Sequence, residues 1–267
     1  MHLVNSVFVV TGGGDGIGRE VTLQLLTRGA RVAAVDLRDD RLAETADLAG
    51  THAGRLSTHV VNVSDRAAVE ELPNAVIASH GHVDGVLNIA GIIQRFVPIN
   101  DLSIEEIERV MAVNFWGTLY VTKAFLPLLM ARPRAALVNV SSMGGLVPVP
   151  GQGAYGASKA AVKLLTETLY AELRDTNVAV TVVFPGGVGT RITENSGVEI
   201  PGSAAGAAAT HKVTAVDDAA RQIVDALAQG TPRVLIGSDA KMLDRVSRVS
   251  PTRAITMVAD QMKKLLG

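Results

Sequence analysis

Short continuous apolar runs alternate with longer segments of helical periodicity along almost the whole chain of 267 residues, and no other feature restricts the fold as strongly. Most of these runs lack the polar–apolar alternation of a half-exposed strand, so they predict strands that are covered on both faces. Seven runs have this character: residues 7–10, 31–35, 56–61, 83–89, 135–140, 178–184 and 233–236. Because parallel strands need helical crossovers, the alternation predicts a doubly wound (Rossmann) α/β fold, a seven-stranded parallel sheet with helices on both faces.

The segments between these runs carry helix signals at their ends. Ser64 or Asp65 is suited to cap the helix after the third strand, and Gly230 is suited to end the helix before the last strand. Two long helices are predicted over residues 103–131 and 153–175.

Two stretches depart from the regular alternation. Residues 191–213 are rich in Gly, Ala and Ser and have little periodicity, which predicts a functional lid over a substrate site. Residues 240–267 return to a helical pattern that is interrupted at Pro251, and they form a predicted C-terminal helical extension. Since no Pro- or Gly-rich linker separates these stretches from the rest, residues 1–267 are predicted to form one domain.

Composition and charge argue against several classes of protein. The net charge is −1 with scattered Lys and Arg, which disfavours a nucleic-acid partner, and the absence of cysteine excludes disulfides and thiolate metal sites. His80 and His82 have no third ligand nearby in the sequence and are interpreted as solvated turn residues, so no metal is predicted. No run is long enough to span a membrane and no signal peptide is recognised, so the protein is expected to be cytoplasmic.

The stretch TGGGDGIG, residues 11–18, joins the first strand to the first helix and predicts a phosphate-binding turn. Gly12, Gly16 and Gly18 allow a tight turn in which the backbone approaches a pyrophosphate closely. The helix N-terminus then offers N–H groups and the positive end of its dipole. The turn therefore indicates a dinucleotide cofactor.

Charged residues near this turn predict which dinucleotide binds. Asp36 ends the second strand, at the position where a carboxylate binds ribose hydroxyls and repels a 2′-phosphate. Asp15 adds negative charge nearby. Both residues favour NAD over NADP, whereas Arg38 is the counterargument because a guanidinium can bind a phosphate.

Tyr155 and Lys159 are four residues apart in a helical segment, which places them on one face. A free tyrosine has a pKa of about 10, and a nearby ammonium favours the phenolate, so the pair suits general acid/base catalysis. Ser142 ends the fifth strand, at the edge where open α/β sheets bind ligands, and its hydroxyl is able to hydrogen-bond a carbonyl or alcohol oxygen. Together they predict a catalytic site.

Six motifs now stand in one order along the chain: TGGGDGIG at 11–18, NIAG at 88–91, VNFWG at 113–117, VNVSS at 138–142, YGASK at 155–159 and PGGVGT at 185–190. Each motif is weak alone, but the ordered set is highly specific. With them the sequence resembles the short-chain dehydrogenase/reductase family, from Val7 to about Gly237.

The resemblance implies a role for each matching residue. Ser142 would orient the substrate oxygen, and Tyr155 would exchange the proton. Lys159 would lower the pKa of that tyrosine and hold the nicotinamide ribose, and Asn114 would complete a water-linked proton relay. The expected cofactor-binding residues are Gly12, Asp15, Gly16, Ile17, Gly18, Asp36, Leu37, Asn62, Val63, Asn88, Ala90, Gly91, Tyr155, Lys159, Pro185, Gly186, Val188 and Thr190.

The chain departs from the family pattern at two positions. Asn62 stands where the family often has Asp, and Ile89 stands where it often has Asn. The side-chain oxygen of Asn62 is still able to accept from the adenine amino group, so cofactor binding is expected to survive. The resemblance also implies a homodimer or homotetramer that is built on the two long helices.

These observations predict an NAD(H)-dependent oxidoreductase that interconverts a secondary alcohol and a ketone. Apolar residues such as Val147, Ile192 and Val198 predict a mainly apolar substrate, for which a hydroxysteroid, a hydroxyacyl thioester or a small acetoin-like alcohol would fit. The alternative is an NADPH-dependent 3-oxoacyl (acyl-carrier-protein) reductase, which Asp36 disfavours. A catalytically idle dinucleotide-binding scaffold ranks lower, because the whole catalytic set is present.

Overall fold

A single parallel sheet runs through the computed structural model, which describes residues 1–198 and 213–266. Across these residues its seven strands are β1 (Val7–Thr11), β2 (Arg31–Asp36), β3 (Leu56–Val60), β4 (Gly85–Asn88), β5 (Ala135–Val140), β6 (Val178–Pro185) and β7 (Arg233–Ile236). The strand order is β3-β2-β1-β4-β5-β6-β7, and every neighbouring pair is parallel. The predicted doubly wound (Rossmann) sheet is therefore confirmed.

Helices cover both faces of this sheet. Those found in the described residues are α1 (Gly16–Thr27), α2 (Asp39–Ala49), α3 (Arg66–His80), α4 (Ile104–Met111), α5 (Thr118–Met130), α6 (Gly153–Leu173), α7 (Ile192–Ser196), α8 (Val216–Gln229), α9 (Ser238–Val249) and α10 (Pro251–Leu266). On one face α1 and α8 pack against strand residues such as Phe8 and Val183. On the other face α3, α5 and α6 pack against Val9 and Val180. Because successive strand residues point to opposite faces, continuous apolar strands fill both cores.

The order of the strands creates a crevice beside β1. Its neighbours are β2 and β4, so the chain leaves β1 towards one side of the sheet and reaches the other side only after β3. In open α/β sheets ligands bind at such a switch point, outside the carboxyl ends of the strands. The glycine turn, Asp36 and Ser142 all follow strands at this edge.

Two predicted helix ends are confirmed by their capping geometry. The Asp65 carboxylate accepts from the Ala67 and Ala68 N–H groups and so caps α3, which settles the choice between Ser64 and Asp65. Gly230 follows α8 in the left-handed conformation with φ 69°, which glycine adopts without strain.

The predicted long helix over residues 103–131 contains a wider turn that its sequence pattern does not show. Between α4 and α5, the segment Ala112–Gly117 winds as a π-helix. Such turns inside α-helices are frequently found at functional sites. Here the wider turn carries Asn114, which is fully buried.

The two stretches outside the regular alternation differ in how much of them the structure describes. The predicted lid over 191–213 contains α7, and its residues 199–212 lie outside the described residues. The C-terminal extension consists of α9 and α10, and Pro251 begins α10 at the position where a missing N–H costs nothing. Its side chains Leu243, Ala254 and Val258 pack with Val147 of the loop after β5.

The prediction of solvated turn residues is wrong for His80. Its side chain lies in the last turn of α3 and is buried, with its Nε2 2.8 Å from the Ser57 hydroxyl, which also lies 2.8 Å from His59 Nε2. Burial lowers the pKa of His80 to about 4. His82 lies partly exposed and 3.0 Å from the Asp84 carboxylate.

Candidate active site

A cleft of about 450 Å³ opens at the carboxyl edge of the sheet, beside β1 and β4. Its walls come from the loops after β1, β2, β3, β4, β5 and β6, from the first turns of α6 and from α7. The predicted site residues that line it are Gly12, Asp15, Gly16, Ile17, Gly18, Asp36, Leu37, Asn62, Val63, Ala90, Gly91, Ser142, Tyr155, Lys159, Pro185, Gly186, Val188 and Thr190. Asn88 and Asn114 were predicted with them and do not line it.

The glycine turn leaves no room for side chains at two positions. Gly12 has φ 71°, and a Cβ on it would lie 3.0 Å from the backbone of Ala90. A Cβ on Gly18 would lie 2.0 Å from the Gly12 carbonyl oxygen. The bare backbone and the N-terminus of α1 therefore face the cleft together, as a pyrophosphate requires.

Asp36 anchors the turn to the end of β2. Its Oδ2 accepts from the Gly14 N–H at 3.0 Å, and its Oδ1 accepts from the Arg38 N–H at 3.1 Å. Both bonds come from backbone groups, so the carboxylate is held at the mouth of the cleft. That is the place where it would meet the adenosine ribose of a dinucleotide.

Asp15 has a different role from the one that its charge suggested. Its carboxylate caps α1 through the Gly16 N–H at 2.8 Å, and it also accepts from Arg191 at 2.8 Å and from Asn195 at 2.8 Å. Although burial opposes the effect, these bonds hold the pKa of Asp15 at about 2. Because Arg191 balances its charge, Asp15 gives little support to a preference for NAD, and instead it ties the glycine turn to α7.

Three side chains meet at the other end of the cleft. Ser142 follows β5, and its hydroxyl accepts from the Gly144 N–H at 3.1 Å. Tyr155 and Lys159 lie one turn apart at the start of α6, and both line the cleft with Ser142. Lys159 is buried and donates to the Val140 carbonyl oxygen at 3.0 Å.

Burial is the largest influence on the pKa values of Tyr155 and Lys159. Desolvation raises the pKa of Tyr155, while a side-chain hydrogen bond with Ser142 acts in the opposite direction. Burial also lowers the pKa of Lys159 to about 8. Burial therefore outweighs the lowering of the Tyr155 pKa that was expected from Lys159, whose ammonium lies 6.0 Å from the tyrosine ring centroid and donates to the Val140 carbonyl oxygen.

Asn114 lies behind the cleft and fixes its wall. Its Oδ1 accepts from the Ile92 N–H and its Nδ2 donates to the Ile92 carbonyl, both at 2.9 Å. The same Nδ2 donates to the Ser158 hydroxyl at 2.9 Å, on α6 between the tyrosine and the lysine. The π turn therefore joins the loop after β4 to the helix that carries the catalytic candidates.

The side chains of two predicted cofactor residues, Asn88 and Asn62, already have partners within the protein. Asn88 is buried under the sheet edge, where its Nδ2 donates to Thr122 at 3.2 Å and to Asn139 at 2.8 Å. Asn62 lines the cleft, but its Oδ1 already accepts from the Ser64 N–H and hydroxyl at 3.0 and 2.7 Å. A carbonyl oxygen has two lone pairs, so the expected acceptor for adenine is in use.

Two supporting residues carried no signal in the sequence. The Asp239 carboxylate accepts from the Gly187 N–H at 2.7 Å, and it occupies the space where a Cβ on Gly186 would stand. Gln94 is fully buried and accepts from the Tyr155 N–H at 2.9 Å. Both act over 52 and 61 residues of sequence, so no local motif includes them.

The part of the chain that the structure describes offers neither a metal cluster nor a membrane span. No three His, Asp or Glu side chains there come together in a way that could hold a metal ion. Among the same residues no helix has both the length and the apolar character needed to cross a bilayer.

The chain is similar in sequence to short-chain dehydrogenases. Residues 6–200 match the family model described as short chain dehydrogenase. The chain is 36% identical over 259 residues to a Mycobacterium tuberculosis protein named as the oxidoreductase SadH, covering 95% of this chain and 94% of that protein. It is 33% identical to a Streptomyces avermitilis protein named 1-deoxy-11-beta-hydroxypentalenate dehydrogenase, covering 90% of this chain and 88% of that protein.

Solved structures show the same fold with a bound dinucleotide. A short-chain dehydrogenase/reductase of Burkholderia phymatum in complex with NAD has a TM-score of 0.85 and 25% identity, covering 96% of this chain and 97% of its own. A short-chain dehydrogenase of Burkholderia cenocepacia in complex with NADP has a TM-score of 0.81 and 26% identity, covering 97% and 99%. The chain belongs to the short-chain dehydrogenase/reductase family. It is an oxidoreductase of that family, whose fold binds a nicotinamide dinucleotide.

Proposed function

We propose that this protein is an NAD(H)-dependent oxidoreductase that interconverts a secondary alcohol and a ketone on a mainly apolar substrate. One observation carries the proposal: Ser142, Tyr155 and Lys159 share one cleft with the glycine turn and Asp36. A protein that only binds dinucleotides needs the turn but not the other three side chains. The idle scaffold is therefore the weaker reading.

The residues of the cleft fit a nicotinamide dinucleotide. Gly12 and Gly18 leave open backbone where any Cβ would clash, which suits the pyrophosphate. Asp36 would hold the adenosine ribose, and Lys159 with the turn at 185–190 would hold the nicotinamide end. When bound, the nicotinamide ring supplies the hydride acceptor or donor of the reaction.

The chain itself positions the substrate and moves the proton. Ser142 would donate to the substrate oxygen and hold it beside the hydroxyl of Tyr155. Tyr155 would take the alcohol proton in oxidation and return one in reduction. Because burial opposes its ionisation, the positive charge of Lys159 is needed nearby to favour the phenolate.

Asn114 would extend the proton path from this group, as a further part of the proposal. A Cβ built on Gly91 would lie 3.1 Å from Lys159 Nζ and 3.2 Å from Asn114 Oδ1, so both polar atoms border the same point. A water held between them would link the ammonium to the π turn. Asn114→Ala should then lower the rate of alcohol oxidation, because each turnover releases one proton that must leave Tyr155 for the solvent.

The test of the mechanism is turnover by Tyr155→Phe. Absorbance of NADH at 340 nm would be followed with NAD and a panel of cyclohexanol, 2-octanol, 3-hydroxybutyryl-CoA and a hydroxysteroid. Loss of the acid/base group should lower kcat by about 100-fold or more. Binding of NADH, measured by nicotinamide fluorescence, should stay within threefold of the unmodified protein. Unchanged turnover in this variant would end the proposal.

Charges around Asp36 support NAD as the preferred dinucleotide. Arg38 pairs with Asp40 at 2.6 Å, and Arg41 pairs with Glu44 at 3.1 Å. Both guanidiniums that border the cleft are thus compensated, whereas the Asp36 carboxylate would repel a 2′-phosphate.

Parallel titration with NADH and NADPH tests this preference, and Asp36→Ala should narrow the difference between the two Kd values. Tighter binding of NADPH by the unmodified protein would favour the alternative, an NADPH-dependent 3-oxoacyl (acyl-carrier-protein) reductase. That outcome would mean that Arg38 leaves Asp40 to bind the 2′-phosphate.

Apolar residues next to the catalytic candidates support an apolar substrate. Ile192 of α7 borders the cleft, and Met143, Leu146 and Val147, which follow Ser142, pack with the C-terminal helices. The Streptomyces relative is named for a hydroxylated substrate, a hydroxypentalenate, which agrees with oxidation of an alcohol. The hydroxysteroid and 2-octanol of the panel should therefore be turned over faster than cyclohexanol.

Exposed apolar side chains on the long helices support a homodimer or homotetramer, as a second part of the proposal. Trp116 stacks on Tyr120 yet remains 45% exposed, and Leu164 and Tyr170 of α6 are also exposed. Light scattering on a sizing column would give the mass of the assembly.

The absence of cysteine agrees with the proposed cytoplasmic location, which fluorescence microscopy of a tagged chain would check.

A further inference from the structure

Three consecutive residues after β4 each bond a different part of the active-site region. Ile92 is held by Asn114 of the π turn through two bonds of 2.9 Å. The Ile93 N–H donates to the Ser196 hydroxyl of α7 at 3.0 Å. Gln94 bonds the start of α6. Residues 92–94 therefore hold the π turn, α7 and the start of α6 together.

Both ends of the Gln94 side-chain amide are used. Its Oε1 accepts from the Tyr155 N–H at 2.9 Å, and its Nε2 donates to the Gly151 carbonyl at 3.1 Å. In return, Gln152 Nε2 donates to the Gln94 carbonyl at 3.0 Å. Gln94 is 0% exposed and Gln152 is 4% exposed, so both glutamine side chains are shielded from water.

The bond to Tyr155 replaces a missing helix cap. The first N–H groups of a helix have no partner within the helix, and a side chain at the N-cap usually supplies one. Gln152 occupies that position in α6 but makes no side-chain cap bond. Gln94 caps the N–H of Tyr155 instead, and without Gln94 this N–H would lose that partner.

We propose that Gln94 is a positioning residue for Tyr155, whose catalytic role is the one given under the proposed function. By capping the first turn of α6, Gln94 sets where the Tyr155 hydroxyl stands relative to Ser142. If the cap is lost, the first turn loosens and the hydroxyl moves away from the hydrogen bond that favours its ionisation. Small displacements of this kind lower the rate of the chemical step more than they weaken binding.

The test compares Gln94→Met with Gln152→Met as the matched control. Both variants remove a buried glutamine from the same loop contact, but only Gln94→Met frees the Tyr155 N–H. The Oε1 of Gln152 has no partner, so its replacement removes only the Nε2 bonds. Gln94→Asn is the milder second variant, because it keeps a buried amide that is one methylene too short to reach Tyr155. Sizing-column profiles and circular dichroism would establish that all variants fold.

Two readouts separate positioning from loss of stability. With the fastest alcohol of the panel, Gln94→Met and Gln94→Asn should lower kcat by about tenfold or more, while KM and the NADH Kd change less than twofold. Gln152→Met should lower kcat less than threefold. Tyrosinate absorbance at 295 nm, with the Tyr155→Phe titration subtracted, reports Tyr155 without any substrate. Its midpoint should rise in pH in both Gln94 variants and stay unchanged in Gln152→Met.

The outcomes separate this inference from the proposed function. If Tyr155→Phe is inactive while the Gln94 and Gln152 variants behave alike in kcat and in the tyrosinate titration, Gln94 has no positioning role and the proposed function stands. If Tyr155→Phe keeps full activity, the proposed function fails first, and the positioning role fails with it. If the panel holds no substrate, the titration midpoints alone decide: equal midpoints in the two glutamine series overturn the inference.

Discussion

Replacing Lys159 with Met should make the protein more stable while it removes the proposed chemistry. Lys159 is 4% exposed, and burial lowers its pKa from 10.5 to about 8. Since the folded pKa lies below the unfolded one, this residue's contribution to stability is fully present above pH 10.5 and falls as the pH drops towards 8. Below that value the cost of the buried charge is about 3 kcal/mol. Loss of the bond to Val140 offsets about 1 kcal/mol, which leaves a net gain of about 2 kcal/mol for Lys159→Met at pH 7.

Urea unfolding of protein freed of dinucleotide, at pH 7 and pH 9.5, measures this gain. At pH 9.5 the cost of the charge falls to about 1 kcal/mol, so the two proteins should have nearly equal stability there. Lys163→Met is the matched control, because Lys163 lies one turn along α6, partly exposed and paired with Glu167. It should change stability by less than about 0.5 kcal/mol at both pH values. The reasoning is refuted if Lys159→Met is less stable at pH 7, or if its advantage is the same at both pH values.

Three further changes have expected outcomes. Gly18→Ala should abolish NADH binding in a fluorescence titration, because its Cβ would lie 2.0 Å from the Gly12 carbonyl oxygen; binding within threefold of the unmodified protein would contradict this packing. Asp239→Ala frees only the Gly187 N–H, which lies at the nicotinamide end of the cleft. It should therefore raise the KM for NAD about tenfold and leave the inhibition constant of ADP-ribose unchanged. An equal weakening of NAD and ADP-ribose binding would contradict that placement of Gly187. The pKa of His80 is about 4 in the folded chain and 6.5 in the unfolded chain, so protonation at acid pH favours unfolding. Between pH 8 and pH 5, His80→Gln should therefore lose about 2 kcal/mol less unfolding free energy than the unmodified protein. Parallel curves of unfolding free energy against pH for the two proteins would show the pKa assignment to be wrong.

Most of the sheet was predictable because parallel strands that are buried on both faces are continuous apolar runs in the sequence. The run predicted over 178–184 is found as Val178–Pro185, since a strand covered on both faces has few polar residues to obscure its ends. The π turn at Ala112–Gly117 was not predictable. Hydrophobic periodicity averages over several turns, so a single widened turn leaves the pattern almost unchanged.

In the candidate site, residues placed by local spacing were predictable, whereas contacts between residues far apart in the sequence were not. Ser142, Tyr155 and Lys159 were found because a strand end and a four-residue helical spacing place them locally. The partner of Asp15 lies 176 residues away, so the sequence showed its charge but not the ion pair that compensates it. Burial is likewise not visible in residue spacing, so the sequence did not show that desolvation raises the pKa of Tyr155.

The apolar cluster of the C-terminal helices has a consequence for how the chain opens locally. Its buried members, within the described residues, are Val147, Leu243, Ala254 and Val258, and they are separate from the two cores of the sheet. A unit held by so few buried side chains opens at a lower free energy than the sheet unfolds. The C-terminal helices are therefore able to open locally while the glycine turn keeps its shape. In hydrogen exchange, amides of α10 should exchange well before those of β1 and β4.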